Sequence, residues 1–196
     1  MPDRIARVLA AARAQIGDRY VPDYVALRYP MGDVPRGTGV CTDVVIRSLR
    51  SVGIDLQRLV HEDMRRHFAS YPKRWGLRRP DPNIDHRRVP NLQVYFRRMG
   101  WAVSGPAFLP ADLVTWRLPG GRDHLGLVSD RRNARGVPLV LHNLGPTARE
   151  DDCLFAFRVT GHFRAPAGQE AVRPSVRARS ASSAGSAASA AATPAS

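Results

Sequence analysis

Lysine is nearly missing from this chain. Lys73 is the only one among 30 Lys and Arg residues, and against 17 Asp and Glu they leave a formal charge of +13. An excess of that size favours anionic partners such as nucleic acid, acidic lipid or an acidic polymer. The patterning does not single out nucleic acid, because zinc-finger spacing, an arginine stripe interleaved with aromatics and a convincing helix-turn-helix are all missing. A nucleic-acid partner is therefore not expected. Cysteine is scarce as well. Cys41 and Cys153 are the only two, which excludes a disulfide-rich scaffold. Lying more than a hundred residues apart in different local contexts, they read as two separate thiols, one chemical and one buried. No run approaches the roughly 18 consecutive apolar residues of a membrane helix, so an integral membrane protein is not expected. No window resembles a secretory h-region either. The start, MPDRIARVLAAARAQIG, sets Arg4, Arg7 and Arg13 among apolar residues, as an amphipathic helix does.

What is present suits one globular domain. A chain of 196 residues with 43% hydrophobic content accommodates one domain of roughly 150 residues plus a tail. The apolar pattern stops near Pro166, and Ser180 to Ser196 is almost entirely Ala and Ser. We expect a single domain over 1–165 and a disordered Ala/Ser-rich tail over 166–196. Spacings of 3, 4 and 7 predict a first helix over 3–16, carried by Ile5, Val8, Leu9, Ala12 and Ile16 and ended by Gly17. A Gly/Pro-rich loop leads to Cys41. Helices follow over 42–52, with Val45, Leu49 and Val52 inward and Arg47 and Arg50 outward, then over 56–68 and 92–99. The stretch between the last two reads as irregular. Strands are predicted over 112–117, 124–130, 139–143 and 154–160, the last running on towards Phe163. Consecutive strands joined by turns imply an antiparallel meander. Helices first and sheet second give the α+β class, N-terminal helices packed on an antiparallel β-sheet.

Three residues stand out as candidate catalysts. Cys41 ends the glycine-rich loop and begins a helix, where unpaired N–H groups would stabilise a thiolate and lower its pKa. His124 opens a strand, and alternation puts it on one face with Gly126 and Val128. His142 shares a face with Val140 on the next strand. A regular hairpin turning about residue 133 would pair 124 with 142 and let one imidazole orient the other. Asn143 and Asp123 point the other way by the same alternation. Cys41 as nucleophile, His124 as base and His142 as orienting group would carry acyl transfer through a thioester. Cys153, beside Glu150, Asp151 and Asp152, reads as structural, and His162 as a surface or edge residue. Zinc is a weaker reading. Cys41 with the histidines at 61, 67, 86, 124 and 142 contains ligand types, but HExxH and CxxC are missing and His61 and His67 do not share a helical face. No metal and no cofactor are expected.

The segment Asn83 to Asn91 gathers charge in a structureless stretch, and His61-Glu62-Asp63-Met64 gathers it within the third predicted helix. Asp43, His61, Asp85, His86, Arg87 and Arg88 are candidate substrate-binding residues, with Arg87 or Arg88 placed to clamp a carboxylate bidentately. An internal salt-bridge network with Asp85 and Glu62 or Asp63 explains the same residues equally well.

The stretches GDVPRGTGVCTDVVIRSLRSVGIDLQRLVHEDM, YPKRWGLRRPDPNIDHRRVPNLQVYFRRMG, DLVTWRLPGGRDHLGLVSD, PLVLHNLG and FAFRVTGHFR resemble the DUF1287 family, over about residues 20–164. That family looks like a divergent branch of the NlpC/P60-like, papain-related cysteine peptidases and amidases. The wider resemblance matches Cys41 to the nucleophile at a helix start, His124 in HLGLV to the base, and His142 in LVLHN to the third member. It implies a papain-like fold and hydrolysis of a peptide or amide bond, with a peptide or cell-wall peptide as partner. Separately, a monomer is expected. A non-catalytic peptide- or wall-binding module that keeps the cleft is the alternative. The gap of 83 positions from Cys41 to His124 would reshape the cleft, so the substrate does not carry over. Resemblance to envelope proteins implies the cell envelope or periplasm, yet no signal peptide is legible. Either the start lies elsewhere, or export is lost, or the substrate is cytoplasmic.

Overall fold

The structure, a computed structural model, describes residues 2–166. The tail expected to be disordered lies, from residue 167 on, outside the described residues. Four helices come first: α1 (Pro2–Arg13), α2 (Cys41–Arg50), α3 (Leu56–His67) and α4 (Val89–Arg98). Two short parallel strands, β1 (Arg19–Tyr20) and β2 (Thr38–Gly39), pin the loop that delivers Cys41. A five-stranded antiparallel sheet follows, built from β3 (Leu113–Arg117), β4 (Asp123–Arg132), β5 (Pro138–Asn143), β6 (Ala148–Asp151) and β7 (Arg158–Phe163). This is the α+β arrangement expected from the sequence.

The strand order, β6-β5-β4-β3-β7, departs from a simple meander. The last strand was expected to start at 154 and lie next to the third. It starts at Arg158 and crosses to pair with β3, while an edge strand with a polar sequence, Ala-Arg-Glu-Asp, takes the place beside β5. Alternation alone did not mark β6, since three of its four residues are charged. Residues 154–157 instead form a turn in which Leu154 is buried and Phe155 exposed.

Helix ends shift for local reasons. Residues after Arg13 turn with three-residue hydrogen bonds, Gln15 N–H to Ala12 and Ile16 N–H to Arg13, so α1 stops before the predicted end. Val8, Leu9 and Ala12 are buried, but Ile5 and Ile16 are exposed, at 45% and 49%. Helix α4 begins three residues early because Pro90 sits in its first turn, where a missing N–H costs nothing. Asp55 caps α3 by accepting from the Gln57 N–H.

Helix α2 is the central element. Eight of its ten residues are buried, Cys41 to Ile46 and Ser48 and Leu49, because it packs between α1 and the sheet and also touches α3. Arg47 and Arg50 therefore do not project into solvent. Arg47 binds Asp18, Asp33 and the backbone carbonyls of Val34 and Thr38, and Arg50 binds Asp55 and the Gly32 carbonyl. These bonds hold the loop before Cys41. The main core lies between the helices and one face of the sheet, with Leu113, Leu125, Leu127, Leu141 and Phe163 facing α2 and α4. Val114, Trp116, Val128, Val140 and Leu154 form a smaller cluster on the other face.

Candidate active site

Two imidazoles meet on that second face. His124 Nε2 lies 2.8 Å from His142 Nδ1, the rings edge-on at 75°. The register behind this pair differs from the even hairpin expected. Val128 faces Val140 and Leu127 faces Leu141, whereas pairing 124 with 142 would have set 126 against 140. The turn centres on residue 135 and not 133, and an irregularity between Val128 and Arg132 takes back half of that displacement, leaving an offset of two. Because side chains alternate with period two, a shift of two keeps both histidines on their face. They meet diagonally instead of directly opposite.

Trp116 shelters the pair. It faces His124 across β3 and β4, its ring stacked on the imidazole at 5.5 Å and 26°, its indole N–H donated to the Leu154 carbonyl. Gly126 makes this possible. A Cβ there would meet Val140 Cγ1 at 2.5 Å and Trp116 Cη2 at 3.0 Å. The space beside His124 is therefore filled by an indole. Burial, followed by the charges of His142, Arg122 and Arg149, pushes His124 down to about 3. Burial also lowers His142, with Asp151 pulling it back up. Both rings are neutral at pH 7.

His142 has further neighbours. Its Nε2 lies 3.4 Å from Asp151 Oδ2 and 3.5 Å from the Cys153 sulfur. Arg149 holds the same Asp151 oxygen. Cys153 thus sits against the histidine pair, its thiol pushed up to about 12 by burial and then by Asp151.

Cys41 is the first residue of α2 and belongs to the helix-side core. The backbone N–H groups of Leu125, the residue after His124, and of Thr42 and Cys41 itself lie near enough to its sulfur to favour the thiolate. These three donors pull the thiol pKa down, as expected of a helix start. Burial is the larger effect and pushes it up to about 12. The depressed thiol pKa expected from the sequence is thus overturned by desolvation. No hydrogen bond joins the Cys41 sulfur to the His124 ring among the described residues. The thiol lies against the peptide linking His124 to Leu125. Tyr20 is close enough that the Cys41 charge, after burial, raises its phenol.

The six residues expected to bind substrate separate into three groups. Asp43 and Arg87 are bound to each other. Arg87 Nε and Nη2 each lie 3.0 Å from an Asp43 oxygen, with both side chains at most 4% exposed. Asp43 also accepts from the Val40 N–H, and Arg87 donates to the Asp23 carbonyl. The pair fixes the start of α2, so neither group is free to clamp a carboxylate. The expected alternative network also differs, since Asp63 binds Arg98, Tyr71 and His67 and Glu62 binds Arg58. Asp85 and His86 are buried in a single 3-10 turn, 85–87. Burial raises the Asp85 carboxyl to about 6 and lowers the His86 imidazole to about 3. His61 and Arg88 line an open groove away from the buried pair.

One other expectation changes. His162 is buried, at 8% side-chain exposure, its Nε2 2.7 Å from Asp112 and its ring stacked 4.1 Å from Phe108. Asp123 is bound by Arg74 and Arg117. Among the described residues no group of three or more His, Cys, Asp and Glu side chains is placed to hold a metal ion. No helix among them is long and apolar enough to cross a membrane. Sequence reasoning missed Trp116 and Asp151. A tryptophan opposite a histidine across a strand pair is a recognisable signal once the register is known, and Asp151 is not visible until β6 is placed.

The chain is 53% identical over 159 residues to the "Uncharacterized protein YijF" of Escherichia coli (strain K12), covering 78% of each chain. Among solved structures, NlpC1 from Trichomonas vaginalis is similar with a TM-score of 0.46 and 14% identity, over 83% of this chain. The chain spans 44% of the length of that protein, less than half. Residues 9–165 match the family described as a domain of unknown function, DUF1287, and the chain belongs to that family.

Proposed function

We propose that this protein is a thiol-dependent hydrolase of peptide or amide bonds, with cell-wall peptides as the substrate class and the cell envelope or periplasm as its place of action. The observation that carries this reading is the 2.8 Å contact between His124 and His142, on a strand whose next backbone N–H, that of Leu125, favours the Cys41 thiolate. His124 Nε2 is committed to His142, which leaves Nδ1 for the thiol proton. That requires a hydrogen on His124 Nε2, donated to His142 Nδ1. His142 must then carry its own hydrogen on Nε2, facing Asp151. The carboxylate favours this tautomer, so Asp151 orients the relay from its far end.

The thiol and the imidazole are both neutral at rest. The sulfur is therefore activated when substrate binds, and not stored as a thiolate–imidazolium pair. His124 Nδ1 takes the thiol proton as the sulfur attacks the carbonyl carbon, and the imidazolium returns it to the departing amine as the C–N bond breaks. Water then adds to the thioester, giving its proton to the same nitrogen, and the thiol is re-formed as the acid leaves. Backbone N–H groups at the start of α2 supply donors for the oxyanion. The thiol and ring must come closer than they lie at rest, as catalytic contacts commonly do when substrate arrives.

A peptide-directed chloromethyl ketone tests the reading. With Cys153→Ser as background, alkylation is expected at Cys41 and is expected to slow sharply in His124→Ala. Cleavage of wall peptides that survives Cys41→Ala would sink it. A peptide- or wall-binding module is the second reading, favoured by the thiol raised to about 12. It predicts affinity for wall peptides with no turnover and no dependence of alkylation on His124.

A further inference from the structure

Between α3 and the segment 75–88 runs an open groove of about 850 Å³. Arg65, Arg78, Arg79 and Arg88 line it, with Trp75 and His61. None of Arg65, Arg78 and Arg79 has a hydrogen bond or ion pair with a described residue, although most other arginines here are paired. Arg88 lies over the Trp75 ring at 4.4 Å, and its Nη1 is buried without a hydrogen-bond partner. His61 Nδ1 is likewise buried and unpartnered. An orphaned buried donor is costly unless a ligand or water meets it. The one carboxylate in the groove, Asp81, is already satisfied by the Tyr24 hydroxyl, the Asn83 N–H and the Asn83 amide. The groove is therefore a site of unspent positive charge. Trp75 is 58% exposed and holds a φ of 58°, a backbone region bulky residues rarely occupy. An exposed indole on a strained backbone, with a guanidinium on its face, is a recognition feature.

We propose that this groove binds a carboxylate-bearing peptide, as the site for the acidic arm of the substrate. The proposal rests on the hydrolase reading above and adds where and how the substrate is recognised. Arg88 adjoins Arg87, which is bound to Asp43 at the start of the Cys41 helix, and Tyr24 in the groove adjoins Asp23, whose carbonyl Arg87 also holds. Two sequence links thus join the groove to the bonds that fix the start of the Cys41 helix. Guanidinium forks match carboxylates bidentately. Single-stranded nucleic acid is disfavoured, since it needs successive aromatic platforms along its backbone. Among the described residues that line the groove, Trp75 has one face covered by Arg88 and Tyr24 is held at its hydroxyl by Asp81 and Asn83, so no run of open platforms is offered.

Isothermal titration of the full chain carrying Cys41→Ala separates the possibilities. The probes are acetyl-(Gly-Glu)3-amide, acetyl-(Gly-Gln)3-amide and a ten-residue oligothymidylate. The glutamate peptide is expected to bind at least about tenfold more tightly than its glutamine counterpart. Arg78→Ala with Arg79→Ala, both exposed and unpaired, is expected to remove that preference. Arg132→Ala with Arg135→Ala, on the β4–β5 hairpin, removes as much charge and is expected to preserve it. Equal affinity for the two peptides, equal losses in both double variants, or binding of the oligothymidylate alone would overturn the proposal. Since no turnover is measured, selective binding stands even if Cys41 proves not to be a nucleophile, and its failure leaves the hydrolase reading to its own test.

Discussion

Arg87 and Arg88 are neighbours in sequence and opposites in circumstance. Arg87 is buried, and its guanidinium is held by the Asp43 carboxylate and the Asp23 carbonyl. Arg88 caps an exposed indole and keeps a buried nitrogen with no partner. The same contrast separates the regions they belong to. Around Cys41 the polar groups answer one another, and the ionisable ones are held neutral or paired. Along the groove donors stand open. A buried charge whose partner is built in acts as a strut, and a donor left open is held for something that arrives.

Four experiments sharpen or break that comparison. The largest effect belongs to chemistry. Cys41→Ala is expected to lower wall-peptide hydrolysis by at least about 10³-fold, with an unchanged circular dichroism spectrum. Arg87→Ala comes next. It leaves Asp43 buried and unpaired, and such a loss costs about 3–5 kcal/mol, while Arg88→Ala is expected to cost about 1 kcal/mol or less. Urea midpoints of the two variants compare them directly, and similar shifts would erase the distinction between strut and open donor.

Acid sensitivity is the third. His86 and His124 are held near 3 in the fold and titrate near 6.5 when unfolded. The unfolded chain then binds more protons between those values. Stability is full above about 6.5 and is lost as pH falls towards 3, by about 1.4 kcal/mol per pH unit for each histidine. Asp85, raised to about 6, opposes this, since its contribution is lost as pH rises through roughly 4 to 6. Two histidines outweigh one carboxyl. Calorimetric Tm is expected to fall from pH 7 to pH 4, and a flat profile would mean the histidines are not held neutral. The smallest effect is Asp151→Asn, expected to slow hydrolysis about tenfold, or about 1.4 kcal/mol of barrier. Its distinguishing sign is in the nitrogen-15 spectrum of His142, where the Nε2–H tautomer is expected to lose its dominance.

Periodicity carried much of the fold. The helix stripes of Val8, Leu9 and Ala12 and of Leu92, Tyr95 and Phe96 end in the core, and the histidines sit on the face that alternation assigns them. The failures have one cause: long-range contact overrides local pattern. Arg47 and Arg50 look solvent-facing until the loop before Cys41 is folded against them. The edge strand β6 looks like a charged turn until β5 offers it a ladder. The helix-start argument for a lowered Cys41 pKa considered nearby N–H groups and not the depth at which they lie. Arg87 resembled a substrate clamp because nothing in a linear reading shows Asp43, 44 positions earlier, meeting it.

That 44-residue span also sets a timetable. Closing so long a loop is slow and entropically unfavourable until other contacts hold its ends. The thiol is carried by residue 41, its strut by 87, the two imidazoles by 124 and 142, and the outermost carboxylate by 151. A chain emerging from the ribosome therefore exposes its cysteine long before anything exists to activate it. The candidate machinery is assembled last, and a half-made or half-unfolded molecule has a sulfhydryl but no means of using it on the proteins around it.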